Sequence, residues 1–316
     1  MIFFQRFKNP PGGSKRNLNL FKWITFFIRR LFDRQPILPA DFVVTQKEAL
    51  KNYSQLQDEN TLTWLGHNTF LIKLNGTTIL TDPFLTDYAS PMHGFGPKRF
   101  VPPGLKIADL PIIRIIIVSH DHFDHLDMRT IAQLPNKTGI HVVTPLRYSH
   151  FFKRCGYQKI HELDWHQAWH HADITIRALP AYHYSKRNLF TRNMRLWVSY
   201  AIQWQQKKLY FSGDTGYGSI FLDLGRDYGP FDYALLDIGA YNPPALMQSG
   251  HISPEEAVTI GQELRAKTLV AMHWGTIILS DEPSFEPPER FYRAAQLANY
   301  PKDTIWVLKI GETRKI

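Results

Sequence analysis

Short runs of β-branched and aromatic residues alternate with longer mixed stretches along this chain. Residues 61–65 (TLTWL), 69–74 (TFLIKL) and 77–81 (TTILT) predict three short strands, with Asn75-Gly76 as a hairpin turn. Residues 112–119 (IIRIIIVS) are apolar and β-branched, the pattern of a strand buried on both faces. Further strands are predicted over 173–179, 197–204, 207–212, 233–238, 268–272 and 304–309. Helical periodicity fits 125–134, 145–154, 254–265 and 288–297. Ser253-Pro254-Glu255-Glu256 supplies an N-cap, a proline at the first helical position and acids in the first turn. There is no internal repeat. Strands in both halves with helices between them predict a layered α/β body, sheets inside and helices outside.

The first 40 residues follow a different pattern. Residues 9–17 (NPPGGSKRN) read as loop. Residues 18–32 (LNLFKWITFFIRRLF) read as a helix with Asn19, Lys22, Thr25, Arg29 and Arg30 on one side. Leu20, Phe21, Trp23, Ile24, Phe27, Leu31 and Phe32 fill most of the remainder. A wide aromatic face with a basic stripe suits a helix lying in a membrane interface; docking on the body is the alternative. A signal peptide is not expected, because the apolar run between Lys22 and Arg29 is short and no small-residue cleavage site follows. No window approaches the ~18 apolar residues of a transmembrane span. The expected organisation is an arm, 1–40, and a catalytic domain, 41–316. The arm is expected to be separable: without it, vesicle binding should weaken and hydrolysis of a soluble phosphodiester should persist.

Composition narrows the chemistry. Of 316 residues, 44% are hydrophobic and 21% charged, which excludes wholesale disorder. The net charge is +9, yet residues 1–40 hold eight basic side chains and one acid, so the body is nearly neutral. That argues against a broad nucleic-acid face and for an arm that meets an anionic membrane surface. Peripheral attachment to the cytoplasmic face of a membrane is the expected location. The lone Cys155 excludes an intrachain disulfide and a thiolate zinc site, and reads as a buried apolar residue. With 14 histidines, a metal site would be built from imidazole and carboxylate.

The strongest chemical signal follows the buried strand: Ser119-His120-Asp121-His122-Phe123-Asp124-His125. In an extended loop, residues i and i+2 point the same way, so His120 and His122 can grip one ion. Where the chain turns into a helix, Asp124 and His125 can reach a second, about 3.5–4 Å away. Further ligands are sought at other strand ends: His183 in LPAYHYSKR, Asp214 in FSGDTGY and His273 in AMHWGT.

These motifs resemble the metallo-β-lactamase superfamily. Within it the chain is similar to the N-acylphosphatidylethanolamine-hydrolysing phospholipase D family, through WLGHNTFLI, TDPF, GPKRF, SHDHFDHLD, ELDW, FSGDTGY, GPFDYALLDIGAYNP, HISPEEAV, HWGT, EPP and VLKIGETR. The likeness runs from about residue 62 to the C-terminus. It implies a four-layer αβ/βα sandwich with metals at one sheet edge. It implies two zinc ions, the first held by His120, His122 and His183, the second by Asp124, His125 and His273, with Asp214 bridging. Iron or manganese suits such donors too. Asp82 in TDP would orient a ligand histidine, and His251 would lie at the pocket, donating a proton or contacting phosphate. The implied activity releases N-acylethanolamine and phosphatidic acid from N-acylphosphatidylethanolamine, with water shared by the two ions as nucleophile. Asp124, Asp214 and His251 are the expected catalytic residues, and a homodimer is implied by the family alone.

Other residues carry weaker signals. His67 is expected to pack near the site. His166, His170 and His171 in HQAWHH have helical spacing and read as a solvated face. His93, His141, His150 and His161 carry no signal beyond composition. Lys98, Arg99, Arg187, Arg192 and Arg195 are candidate phosphate contacts. Two rival readings remain: a hydrolase of a soluble phosphodiester or sugar-phosphate lactone, and a membrane-associated protein with a structural metal site. The latter would lack an open coordination position.

Overall fold

A computed structural model describes residues 5–17, 19–30, 35–92 and 94–316. Among them, fourteen strands form two seven-stranded sheets. The first contains β1 (Thr61–Gly66), β2 (Thr69–Leu74), β3 (Thr77–Thr81), β4 (Ile115–Ile117), β5 (His141–Pro145) and β6 (Lys159–Leu163), with β14 (Thr313–Lys315) beside β1. The second runs from β7 (Ala168–His171) through β8 (Ile174–Leu179), β9 (Ser199–Trp204), β10 (Lys207–Phe211), β11 (Tyr233–Asp237) and β12 (Thr268–Met272) to β13 (Ile305–Trp306). β3 to β6 are parallel, as are β10 to β13, and the other pairings are antiparallel.

Strand alternation builds the layers. Phe70, Ile72, Ile79, Ile115 and Ile117 enter the core between the sheets, where they meet Ile176, Tyr200, Leu209 and Leu235. The intervening Leu71, Leu80, Ile116 and Val118 face the other way, into a second core with Ala49, Ile131 and Phe152. Those three come from, or directly contact, α2 (Gln46–Gln55), α3 (Met128–Gln133) and α4 (Ser149–Lys153). A period of two, apolar at every position, therefore requires cover on both faces. The far sheet is covered by α5 (Ile220–Tyr228), α7 (Pro254–Glu263) and α8 (Glu286–Leu297), and the short α6 (Pro244–Met247) lies in the loop after β11. This is the expected four-layer sandwich.

Most expected elements are present: 69–74, 77–81 and 268–272 match to the residue, and several others are shorter than expected. The run 112–119 contributes only Ile115–Ile117 to the ladder, and 304–309 only Ile305–Trp306. Ser253 forms a full capping box with Glu256 and has Pro254 at the first helical position. HQAWHH, whose histidines are spaced as on a helix, forms a turn and a strand, with His166 and His170 exposed as expected. A turn at His166, whose φ is 70°, leads into β7, which pairs with β8. Cys155, expected to be buried, is half-buried in the turn after α4.

The arm is built into the body. The main-chain N–H of Phe7 donates to the Asn193 carbonyl at 2.8 Å, and Tyr182 Oη donates to the Pro11 carbonyl at 2.7 Å. Gly13 lies flat on the Tyr182 ring, where a Cβ would fall 2.3 Å from a ring carbon. The helix α1 (Leu20–Arg30) docks through Trp23 and Phe26 onto Leu246 and Met247, and Arg29 pairs with Asp281. Its other face leaves Leu20, Phe21, Ile24 and Ile28 exposed. The helix is thus docked and still presents an apolar stripe to solvent. Leu18, Leu31 and Phe32 of the expected helix lie outside the described residues, as does His93. No helix among the described residues is long and apolar enough to cross a membrane.

Candidate metal centre

Every residue of the centre sits on a loop leaving a strand at one edge of the sandwich. Asp82 follows β3, His120 to His125 follow β4, His183 follows β8, Asp214 follows β10 and His273 follows β12. Parallel strands end together, so their C-terminal loops converge, which is where α/β sheets place their chemistry.

The seven expected ligands come together around Asp214. His120, His122, His183 and Asp214 form one group whose donor atoms all lie within 4.8 Å of one another. His120 Nε2 and His183 Nε2 each lie 3.7 Å from Asp214 Oδ2. A second group contains Asp124, His125, His273 and also His67. His125 Nε2 is 3.1 Å from Asp214 Oδ2, and His273 Nε2 is 3.2 Å from Asp214 Oδ1. Asp214 therefore faces both groups through one carboxylate.

The surrounding hydrogen bonds fix the ring tautomers. His125 Nδ1 donates to Asp82 Oδ2 at 2.7 Å, and His183 Nδ1 donates to the Gly250 carbonyl at 2.8 Å. His120 Nδ1 meets Ser119 Oγ at 2.9 Å, whose own hydroxyl is committed to Asp82 Oδ2 at 2.5 Å. With a proton on each Nδ1, the Nε2 lone pairs turn inward. The Nε2 atoms of His120, His125 and His273 are buried and make no well-aligned hydrogen bond, although Asp214 oxygens lie 3.1 to 3.7 Å away. Buried imidazole nitrogens without a well-aligned partner, converging on a buried carboxylate, fit a divalent cation. The donors are nitrogen and oxygen only, which suits zinc, iron or manganese.

Electrostatics agree. Burial alone would raise Asp124 and Asp214, but His125, with His67 beside Asp124 and His273 beside Asp214, holds both carboxylates well below the ordinary range. Burial and crowding by other imidazoles keep His120 and His183 well below theirs, so both stay neutral and able to ligate. His125 alone is raised, the pull of Asp214 and Asp124 overcoming its burial. Its added proton balances negative charge that a bound cation would otherwise neutralise.

Several supporting residues carry no metal-ligand signal in the sequence. Asn68 Nδ2 donates to Asp214 Oδ1 at 3.2 Å. His67 Nε2 meets Asp124 Oδ2 at 2.9 Å, so it orients that carboxylate, in keeping with a packing role. Asn9, from the arm, accepts the backbone N–H of His183 at 3.0 Å and the indole N–H of Trp197 at 2.9 Å. Gly250 has no side chain because a Cβ would lie 2.8 Å from His183 Nδ1. His67, Asp82, Ala240 and His273 all have positive φ, at 55°, 32°, 59° and 62°. Such strain outside glycine gathers where a site overrides local preference.

A cavity of about 400 Å³ opens onto the centre. Its floor includes His122, Asp124, Asp214 and His251, and its wall is α1 with Leu246, Met247 and Leu279. His251 is where it was expected, with Nδ1 3.9 Å from Asp214 Oδ2 and burial lowering its pKa to about 4. The basic candidates separate. Arg187 is tied to the carbonyls of Asp121 and Leu126, Arg195 to the Asp121 carboxylate, and Arg99 to the Phe84 carbonyl. Lys98 lies over Tyr88. Only Arg192 reaches the cavity. The discounted histidines stand elsewhere. His166 meets Tyr228 and His170 meets Thr175, whereas His141, His161 and His171 stack beside Trp169 at the joined sheet edges.

Comparison with known proteins bears on the family and the fold. A family model described as a beta-lactamase superfamily domain matches residues 77–274. An uncharacterized protein of Mycobacterium tuberculosis is 39% identical over 240 residues, covering 74% of this chain and 64% of its own length. An N-acyl-phosphatidylethanolamine-hydrolyzing phospholipase D of Caenorhabditis elegans is 37% identical over 263 residues, covering 79% of this chain and 74% of its own. Among solved structures, a metallo hydrolase of the archaeon Ignicoccus hospitalis superposes with a TM-score of 0.60 at 21% identity, over 81% of this chain and 98% of the other, which supports the fold.

Proposed function

The chain belongs to the beta-lactamase superfamily and is a metal-dependent hydrolase, and we propose that it cleaves N-acylphosphatidylethanolamine by hydrolysis of the phosphodiester on the ethanolamine side. The observation that carries this reading is the cavity itself. One wall is apolar, made by Trp23, Phe26, Leu246 and Met247, and the floor is the cluster of His122, Asp124, Asp214 and His251. An amphiphile with a phosphodiester fits such a wall and floor. The 37% identity to a nematode enzyme of that name supports the same substrate.

His120, His122 and His183 would hold one divalent ion, Asp124, His125 and His273 the other, and Asp214 would bridge them. Zinc is the expected metal at both positions. When bound, paired ions lower the pKa of water and stabilise charge on a phosphoryl oxygen. Asp82, Ser119 and Gly250 keep the imidazole lone pairs aimed inward, so the ligand set needs no rearrangement to bind them. The oxygen of water bonds to phosphorus, the bond from phosphorus to the ethanolamine oxygen breaks, and a proton passes to that oxygen. His251, neutral and at the cavity floor, has one ring N–H to offer the leaving oxygen. The exposed Leu20, Phe21, Ile24 and Ile28 on the outer face of α1 would rest in the interface of an anionic membrane.

Hydrolysis in ¹⁸O-water tests this directly. The label is expected in the phosphate of phosphatidic acid and absent from the N-acylethanolamine. Label in the N-acylethanolamine, or a product other than these two, would contradict it.

A further inference from the structure

Above the metal centre the cavity wall carries three cations: Arg16 from the arm, and Lys186 and Arg192 from the loop after His183. Among the described residues none of the three has a carboxylate partner. The nearby acids are engaged elsewhere: Asp121 accepts from the Lys186 main-chain N–H at 2.7 Å and from Arg195 Nε at 2.8 Å. Asp124 and Asp214, at the cavity floor, are committed to histidines. The cations also crowd one another. Burial, then Arg192 and Arg16, hold the Lys186 ammonium below its ordinary value.

The group is rigidly tied to the centre. The Arg192 guanidinium lies 3.9 Å from the Tyr184 ring centroid, and that ring packs against the ligands His122 at 4.6 Å and His183 at 4.8 Å. Arg16 is placed by the docked arm and lies 5.7 Å from the Trp23 ring centroid. Like charges gathered without carboxylate partners repel one another, and an anion in their midst relieves the repulsion. Phospholipid headgroups differ in the charge that such a cluster would meet. Acylation turns the ethanolamine ammonium into a neutral amide, so the N-acylated lipid is a net anion. Phosphatidylethanolamine and phosphatidylcholine keep a cation a few ångströms from the phosphodiester.

We propose that Arg16, Lys186 and Arg192 form a headgroup charge filter that admits anionic phosphodiesters to the metal centre and repels those bearing an ammonium. This rests on the lipid phosphodiesterase reading and adds the residues that set its selectivity. A filter differs from general phosphate affinity in the sign of its effect. Removing the cations weakens binding of an anionic headgroup and strengthens binding of a zwitterionic one. A merely structural role would weaken both.

The test uses metal-loaded full-length protein and two non-hydrolysable phosphonates with the same hexyl tail. One ends in a free aminoethyl group and the other has that amine acetylated. The wild-type protein is expected to prefer the acetylated probe by about tenfold. In Arg192→Gln, and separately in Arg16→Gln, the preference is expected to shrink several-fold, with a gain in affinity for the aminoethyl probe. An unchanged ratio, or equal losses for both probes, would overturn the filter. Turnover of N-acylphosphatidylethanolamine by the same wild-type sample separates the two ideas. No turnover with the probe preference intact overturns the lipid reading and supports the filter. Turnover with an unchanged ratio in the variants overturns the filter alone.

Discussion

Asp82 Oδ2 accepts the Nδ1 proton of His125 at 2.7 Å, and both side chains are fully buried. The same carboxylate accepts the Ser119 main-chain N–H through Oδ1 at 2.7 Å and the Ser119 hydroxyl through Oδ2. Asp82 thus orients His125 directly and His120 through Ser119, one ring from each group. Its φ of 32° shows that the backbone after β3 is bent to put it there.

Asp82→Asn is expected to lower metal affinity by about 10- to 100-fold, the usual effect of losing such a partner. Chelator competition with monitored metal content measures it. Unchanged affinity would mean the histidines are oriented by packing alone.

Asp214→Asn removes the carboxylate shared by both groups. Metal content should fall at both positions and turnover should drop to near background. A variant retaining two ions per chain and wild-type turnover would show that the bridge is misassigned. His170→Ala, remote from the centre, is expected to change neither quantity.

The arm is part of the site. Asn9→Ala strips a partner from the His183 main-chain N–H and is expected to cost about 1 kcal/mol of stability, with weaker metal retention. Thermal unfolding of metal-loaded and metal-stripped protein reads both. Deleting residues 1–35 should now harm turnover of a soluble phosphodiester as well as vesicle binding, because Asn9 and Pro11 are fastened beside His183. The proposed membrane role is better isolated by Phe21→Glu with Ile24→Glu on the outer face of α1. Vesicle binding should fall while soluble turnover persists. Unchanged sedimentation with vesicles would remove α1 as the contact.

Metal-stripped protein should lose stability as pH falls from about 6.5 towards 4. His67, His120, His122, His183 and His251 all have folded-state pKa values below their ordinary ones, His251 at about 4. The unfolded chain then binds more protons in that window, so acidification favours unfolding. His125 is raised and acts in the opposite sense, its contribution fading above about 6.5. Within this window His125 stays protonated and its contribution is constant, the lowered His141, His150 and His161 act with the five, and the raised carboxyls of Asp82 and Asp237 act against them. A melting temperature that rose on acidification through that window would contradict it.

The candidate ligands are legible in the sequence because four are closely spaced and the resemblance supplies the rest. His120, His122, Asp124 and His125 are close along the chain, and His183, Asp214 and His273 each follow a recognisable apolar run. The partners that hold them are dispersed and chemically ordinary: Asn9, Asn68, Ser119 and Gly250 are common residue types that act only after the loops converge. The cation cluster was hidden for the same reason, since Arg16 joins Lys186 and Arg192 only when the arm docks. The strand within HQAWHH, bracketed by tight turns at His166 and Ala172, is too short to show alternation. α2, β5, β6, α5 and β14 were not anticipated, and their shortness or mixed polarity gives periodicity little to work on.

The most direct test of the account offers metal-analysed protein N-acylphosphatidylethanolamine, phosphatidylcholine and unacylated phosphatidylethanolamine, with and without chelator, and follows products by mass spectrometry. The account predicts N-acylethanolamine and phosphatidic acid from the first lipid alone, abolished by chelator and restored by divalent metal. Protein holding two ions per chain that releases neither product would contradict it.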